Sequence, residues 1–136
     1  MQFAAETETV REVYAALNRN DIPAMVKAFD PQVEWSELLE VPGGGTYQGL
    51  AAVTAHISEA RARWAEGSCE PERFTVAGDR IIVFVHVRVR LKDETEWREG
   101  DPGDVYTFRN GRVIQVRVFG DRRQALDWAG VQPSGC

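Results

Sequence analysis

The strongest constraint on the fold is a change of hydrophobic period about half-way along the chain. From residue 73 onward, the stretches "RFTVAGDRIIVFVHVRVRL" and "DVYTFRNGRVIQVRVF" alternate apolar and polar residues, as strands do. The first stretch turns at residues 77–80. The second turns at Asn110-Gly111, a dipeptide typical of tight β-hairpins. The sequence therefore predicts an antiparallel meander of about four strands in this half.

Helical spacing dominates the part of the chain before the meander. It predicts a first helix in "TETVREVYAALNRND", a short second helix capped by Asp21, and a third helix in "LAAVTAHISEARARW". One strand, residues 33–39, separates the second helix from the loop "VPGGGTYQG", and "DRRQALDWAGV" forms a short C-terminal helix capped by Asp121. We therefore expect an α+β fold, in which a curled antiparallel sheet of about five strands is closed on one side by three helices.

Composition restricts the classes of function. The 136 residues suffice for a single domain, 1–136, and a net charge of −5 disfavours nucleic acid or an anionic membrane as a partner. The N-terminus shows no secretory leader, and no apolar stretch is long enough to cross a bilayer. Cys69 and Cys136 make no disulfide framework, and no Cys/His cluster has metal-ligand spacing. We expect a cytoplasmic protein without a metal or cofactor.

Two predicted strands place a carboxylate among apolar side chains. With a period of two, the strand "VEWSELLEV" carries an acid in line with apolar residues, and so does "DVYTFRN". The residues are Glu37 with Val33, Trp35, Leu39 and Val41, and Asp104 with Tyr106 and Phe108. An unpaired carboxylate in apolar surroundings is costly, so it becomes protonated or finds a partner. One such acid is commonly a strand-end residue at a rim, whereas two of them favour a site.

The order and spacing of three stretches resemble a known family. They are "YAALNRNDIPAMVKAFDPQVEW", "GTYQGLAAVTAHI" and "VYTFRNGRVIQVRVFGDRRQALDWAGV". The chain resembles the ketosteroid isomerase/SnoaL-like group of the nuclear transport factor 2-like superfamily. The resemblance implies a cone-shaped α+β barrel, commonly a homodimer, with an apolar pocket on the concave face of the sheet for a small apolar molecule.

The resemblance also implies roles for the two acids. Glu37 falls at the position of the catalytic base, and Asp104 at that of a neutral acid that donates to an oxyanion; ketosteroid isomerase is the known case of an acid kept protonated in this way. The family's tyrosine donor falls at Val13, while Tyr14 is turned away by about 100° on a helix. The expected pocket walls are Tyr14, Trp35, Tyr106, Phe108, Ile114, Val116 and Val118.

The stretch "IIVFVHVRVRL" leaves two orientations open. Periodicity alone predicts that its valine face is core and that His86 is solvated. The resemblance implies the reverse, with Phe84, His86 and Arg88 lining the cavity and the valine face against a dimer partner. In that orientation His86 would shuttle protons and Arg88 would hold an anionic group.

Three further features are given simpler interpretations. His56, at the edge of the third helix's apolar stripe, is expected to be a packed or rim residue. Gly43-Gly44-Gly45 lacks the Lys-Ser/Thr of a phosphate-binding loop and is interpreted as a pocket-edge loop. Asp121 is a helix cap, for which the resemblance leaves a minor possibility of a role as base.

These features predict metal-free, cofactor-free acid–base chemistry on a small apolar carbonyl compound, leading to isomerisation or cyclisation. Glu37 and Asp104, with His86 as a proton shuttle, are the expected catalytic residues. One alternative is an epoxide hydrolase of the limonene type, using Arg88 with Asp104. The other is a dimeric module that binds a ligand without turnover.

Overall fold

The computed structural model describes residues 3–38 and 45–131. Four helices are formed: α1 Ala4–Asn18, α2 Ile22–Met25, α3 Leu50–Ala62 and α4 Arg122–Ala129. The strands are β1 Phe29–Leu38, β2 Gly45–Gln48, β3 Trp64–Ala77, β4 Arg80–Leu91, β5 Arg98–Gly100, β6 Gly103–Arg109 and β7 Arg112–Phe119. The α+β class and the order of helices and meander agree with the sequence prediction.

The strands form a single curled sheet in the order β2-β1-β7-β6-β4-β3, with β5 paired to β4. Within the described residues the sheet has seven strands rather than about five, and its β1–β7 pair is parallel rather than antiparallel. The extra strands β2 and β5 span four and three residues, too short to show an alternating pattern. β2 also includes part of the run that the sequence pattern assigned to a loop.

Local sequence explains where the elements begin and turn. The Asp21 side chain accepts a hydrogen bond from the Ala24 N–H at 3.2 Å and so caps α2, with Pro23 in its first turn. Asn110 and Gly111 have positive φ angles of 55° and 78°, as the predicted tight hairpin requires.

The two faces of the sheet are covered by different helices. Helices α1 to α3 contribute to the main core on the inner face, which includes Ile81, Val83 and Val85 of β4. On the outer face, α4 packs through Ala125 in a smaller cluster that contains Ile82, Val105, Phe119 and the partly buried Phe84. The valine face of β4 is therefore core, as periodicity alone predicts. Within the described ranges, no helix has the length and apolar character needed to span a membrane.

Candidate active site

Glu37 and Asp104 lie in one row across the inner face of the sheet. Glu37 of β1 is in register with Val118 of β7, and Val118 is in register with Asp104 of β6. Directly paired residues point to the same face of a sheet. Both carboxyl groups therefore lie on the inner face, which helices α1 to α3 cover, with Val118 between them. At strand spacings of about 4.8 Å, their backbones are roughly 10 Å apart.

Asp104 is buried and only partly hydrogen-bonded. The residue is 8% exposed, and the Tyr14 hydroxyl donates to its Oδ2 at 2.6 Å. Its Oδ1 is buried and has no hydrogen-bond partner among the described residues. The pKa of Asp104 is raised to about 7: burial is the largest cause, the Tyr14 hydrogen bond lowers the pKa, and the charge of Glu37 raises it. Near neutral pH a large share of Asp104 is therefore an uncharged acid.

The groups around Asp104 also stay protonated. Tyr106 stands edge-on to Tyr14, with ring centroids 6.1 Å apart. Burial, followed by the charge of Asp104, raises the pKa of both phenols well above 10. The same two causes raise the pKa of the Cys69 thiol to about 12, which leaves it unsuited to nucleophilic attack. Tyr14 thus supplies the phenol that the resemblance placed at Val13, which is packed in the core.

Glu37 has two partners on one of its oxygens. The Trp35 indole N–H donates to Oε1 at 2.9 Å, and Nε2 of His56 is in hydrogen-bond contact with the same atom. The side chains of Glu37 and His56 are 19% and 13% exposed, so the pair is largely screened from solvent. The His56 ring stacks on Tyr47 at a centroid distance of 3.9 Å and an interplanar angle of 15°.

His56 was interpreted from the sequence as a packed or rim residue. The structure shows it packed, stacked on Tyr47, and also places Nε2 against the carboxylate of the predicted base. The third helix is the next long element after the strand that carries Glu37, and it packs on that strand, so a polar residue at the edge of its apolar stripe could face Glu37. Sequence alone could not give the rotation of the helix that completes the contact.

A small cavity adjoins Glu37. Its volume is about 100 Å³, and its lining residues are Leu17, Met25, Trp35, Glu37, His56, Ile57, Ala60, Arg61 and Trp64. Arg61 is already engaged, since it donates to the carbonyl groups of Leu17 and Asn18 at 2.7 and 3.0 Å and lies over the Trp64 ring. Glu37 and His56 are therefore the polar side chains of this lining that are positioned to act on a bound molecule.

The other predicted pocket walls are mostly core residues. Tyr106, Phe108 and Val116 belong to the main core cluster, with Val118 packed against it, and Trp35 both joins the core and borders the cavity. Ile114 is not a wall, because the register of β6 with β7 shifts between Thr107 and Phe108. Val113, rather than Ile114, pairs with Phe108.

The resemblance misplaced the side chains of β4 that it assigned to the cavity. His86 lies on the outer face, 34% exposed, with Nδ1 2.8 Å from Asp101 and Nε2 2.9 Å from Glu99. The Arg88 guanidinium lies over Trp97 at 3.8 Å, and Phe84 packs in the outer cluster beneath α4. The reason is the strict alternation of β4. Its valines fill the core, so the intervening residues must face outward.

The remaining candidates have structural roles or lie outside the described residues. Asp121 caps α4 by accepting a hydrogen bond from the Arg123 N–H at 2.7 Å. Gly43 and Gly44 fall outside the described ranges, as do Leu39 and Val41, and Gly45 begins β2. Within residues 3–38 and 45–131, no three His, Cys, Asp or Glu side chains converge in a way that could hold a metal ion.

Comparison with known proteins places the chain in a family. A family model of the SnoaL-like domain matches residues 10–116. The chain belongs to the SnoaL-like domain family. A search of curated proteins gave no match.

Solved structures share the fold over almost the whole chain. An NTF2-like protein of unknown function from Burkholderia pseudomallei is 28% identical, with 91% of this chain and 96% of that chain covered and a TM-score of 0.76. An NTF2-like protein from Burkholderia xenovorans is also 28% identical, with coverages of 92% and 95% and a TM-score of 0.72. A ketosteroid isomerase-like fold from Catenulispora acidiphila, solved in complex with trimethylamine, shares the fold at 14% identity, with coverages of 92% and 94% and a TM-score of 0.74.

Proposed function

We propose that this SnoaL-like protein carries out general acid–base chemistry on a small, largely apolar carbonyl compound. Glu37 is the base that removes a proton next to the carbonyl, and Asp104 is the donor to the developing enolate. One observation carries the proposal: a buried acid with a pKa of about 7 and an unpartnered oxygen shares a cross-strand row with a carboxylate that borders a cavity.

The hydrogen bonds of the two carboxyl groups support a choice of reacting atoms. Oε1 of Glu37 is occupied by Trp35 and His56, whereas Oε2 has no hydrogen bond within the described residues and is the atom that accepts the substrate proton. Neutral Asp104 carries its proton on Oδ1, because Oδ2 accepts from Tyr14, and Oδ1–H donates to the substrate oxygen. Return of the proton from Glu37 to another carbon gives an isomer. Attack of the enolate carbon on a second carbonyl forms a C–C bond and closes a ring, and the alkoxide formed from that carbonyl takes up the proton from Glu37.

The reaction can be tested before the substrate is known. A panel of small cyclic ketones and enones in D₂O is followed by proton NMR for deuterium incorporation next to the carbonyl. We expect exchange above the buffer rate for at least one member, and a loss on the order of a hundredfold or more in Glu37→Gln, which cannot accept the proton. Asp104→Asn should lose less, because an amide still donates.

Glu34→Gln is the matched control. Glu34 lies on the same strand but is oriented to the other face, where its Oε1 accepts from Gln115 at 2.8 Å, so this change should leave exchange intact. Exchange by Glu37→Gln at the wild-type rate would contradict Glu37 as the base. A panel with no exchange above buffer would favour the second candidate function.

That second candidate is a module that binds a ligand without turnover. The small volume of the cavity, about 100 Å³, favours it. Saturable binding of a ketone, seen by NMR chemical-shift changes, without any exchange would support it. An epoxide hydrolase that uses Arg88 with Asp104 is not proposed, because Arg88 stacks on Trp97 on the opposite face of β4.

A further inference from the structure

We propose that His56 is a positioning residue for the base: it holds Oε1 of Glu37 so that Oε2 is directed at the substrate. The inference rests on the proposed function, because it assigns a role relative to Glu37 as the base. It goes beyond the resemblance, which implies roles for Glu37 and Asp104 and none for a histidine of the third helix.

The two carboxylate oxygens of Glu37 differ in their hydrogen bonds. His56 Nε2 and Trp35 Nε1 both meet Oε1, so the carboxylate is held at one oxygen from two directions. A carboxylate fixed in this way cannot rotate about its terminal bond without losing both contacts. Oε2 is therefore kept in one orientation, and pre-organised geometry of this kind can account for large factors in rate.

The His56 ring is itself held in place by packing. Its ring lies nearly parallel to Tyr47 at 3.9 Å, and its side chain is only 13% exposed. Tyr47 is in register with Trp35 across the β1–β2 pair, so the stacking partner of His56 and the second donor to Glu37 are neighbours in the sheet. The imidazole is thus supported by β2, while α3 delivers it to the cavity wall.

The contact also favours a proton on Nε2. Two lone pairs facing each other at hydrogen-bond distance repel, so a hydrogen atom must lie between His56 Nε2 and Glu37 Oε1. With Glu37 ionised as the base, that hydrogen belongs to His56, which donates it. The side chain of residue 56 must therefore present a hydrogen-bond donor at the position of Nε2.

Three substitutions separate this role from simple packing. His56→Gln carries an amide donor that reaches about as far as Nε2, His56→Asn carries one that stops short, and His56→Phe keeps the ring against Tyr47 without a donor. In the deuterium-exchange assay we expect His56→Gln to stay within about threefold of wild type. We expect His56→Phe and His56→Asn to lose roughly tenfold to a hundredfold, mainly in kcat rather than KM.

A double-mutant cycle with Glu37→Gln decides whether His56 acts through Glu37. If it does, His56→Phe lowers the exchange rate in the wild-type background and has no further effect in the Glu37→Gln background. Equal losses in both backgrounds, or an exchange rate for His56→Phe within twofold of wild type, would overturn the inference.

Thermal unfolding of each variant identifies any loss of exchange that is caused by unfolding. Where His56→Phe proves unfolded, His56→Gln and His56→Asn decide instead, and equal exchange rates in those two variants would likewise overturn the inference.

The exchange rates of two variants distinguish a failure of the proposed function from a failure of the role proposed for His56. If Glu37→Gln abolishes exchange while His56→Phe leaves it unchanged, Glu37 remains the base and only the role of His56 is wrong. If Glu37→Gln exchanges at the wild-type rate, both the proposed function and the positioning role are overturned.

Discussion

Asp104 differs from a surface carboxylate in the protonation state that the fold favours. Its ordinary pKa of 3.8 rises to about 7 in the folded chain, chiefly through burial. The folded state therefore holds this proton more tightly than the unfolded state does. The stability that Asp104 contributes is complete below about pH 4 and is lost as pH rises through about 7. The rise in pKa corresponds to a loss on the order of 4 kcal/mol.

Asp104→Asn should remove this pH dependence, because the amide has no proton to lose. We expect urea unfolding to give the variant a higher free energy of unfolding than wild type at pH 9, and a much smaller difference at pH 5. Asp79→Asn, in the exposed turn between β3 and β4, is the control and should follow wild type at both values. An unchanged pH dependence in Asp104→Asn would mean that Asp104 ionises as freely in the folded chain as in water.

At the scale of secondary-structure elements, sequence predicted which strand face carries each acid. The alternation of β1 places Glu37 in line with Trp35, and that of β6 places Asp104 in line with Tyr106, as the pairing shows. The row that joins the two acids could not be predicted. It depends on the parallel pairing of β1 with β7, strands far apart in the chain, whose register no local pattern encodes.

Two orientations of β4 stayed open from the sequence, because periodicity put its valine face in the core and the resemblance put that face outside. Both of its faces are apolar near Ile81, Ile82 and Val83, because α4 covers the outer face as the other helices cover the inner one. The packing of α4 on the outer face is a tertiary contact, which the sequence of β4 alone does not predict.

The docking of α4 depends on the absence of a side chain at Gly103. A Cβ atom there would lie 2.7 Å from the Cβ of Ala125 and 3.3 Å from the Cα of Arg122. Gly103→Ala should therefore push α4 away from β6 and lower the free energy of unfolding by roughly 1–3 kcal/mol.

Gly100→Ala provides the matched comparison for α4 docking. Nothing lies within 4 Å of a Cβ added at Gly100 of β5, so this variant should unfold close to wild type in urea. Equal stability of the Gly103→Ala and Gly100→Ala variants would show that α4 does not pack as closely on β6 as described.

For the whole molecule, the fold class and element order were predictable and the full strand count was not. Periods of 3.6 and 2 extend over ten residues or more in α1, α3 and β4, which makes those elements visible in sequence. Of β3, only the part from residue 73 onward alternates, so its first half was not predicted as strand. β2 and β5 form by pairing with the longer strands β1 and β4, so their formation depends on the assembled sheet and not on a local sequence pattern.

A homodimer remains a prediction. From sequence, it depended in part on an apolar sheet face left without cover, whereas α4 covers the apolar part of the outer face in the structure. The expectation now rests on the resemblance, together with the exposed side chains of Val76 and Trp97. Sedimentation velocity at micromolar concentration should give a dimer, and a single monomeric species would contradict it.

The proposed chemistry requires that the fold hold Asp104 as a neutral acid beside an ionisable Glu37. The most direct measurement is an NMR titration of the carboxyl carbons, with each resonance assigned by its absence in Asp104→Asn or Glu37→Gln. We expect the Asp104 resonance to titrate with a midpoint near 7, about three units above its ordinary value of 3.8. A midpoint near 3.8 would show that Asp104 is ionised at neutral pH, and it would contradict the proposed donor and the chemistry built on it.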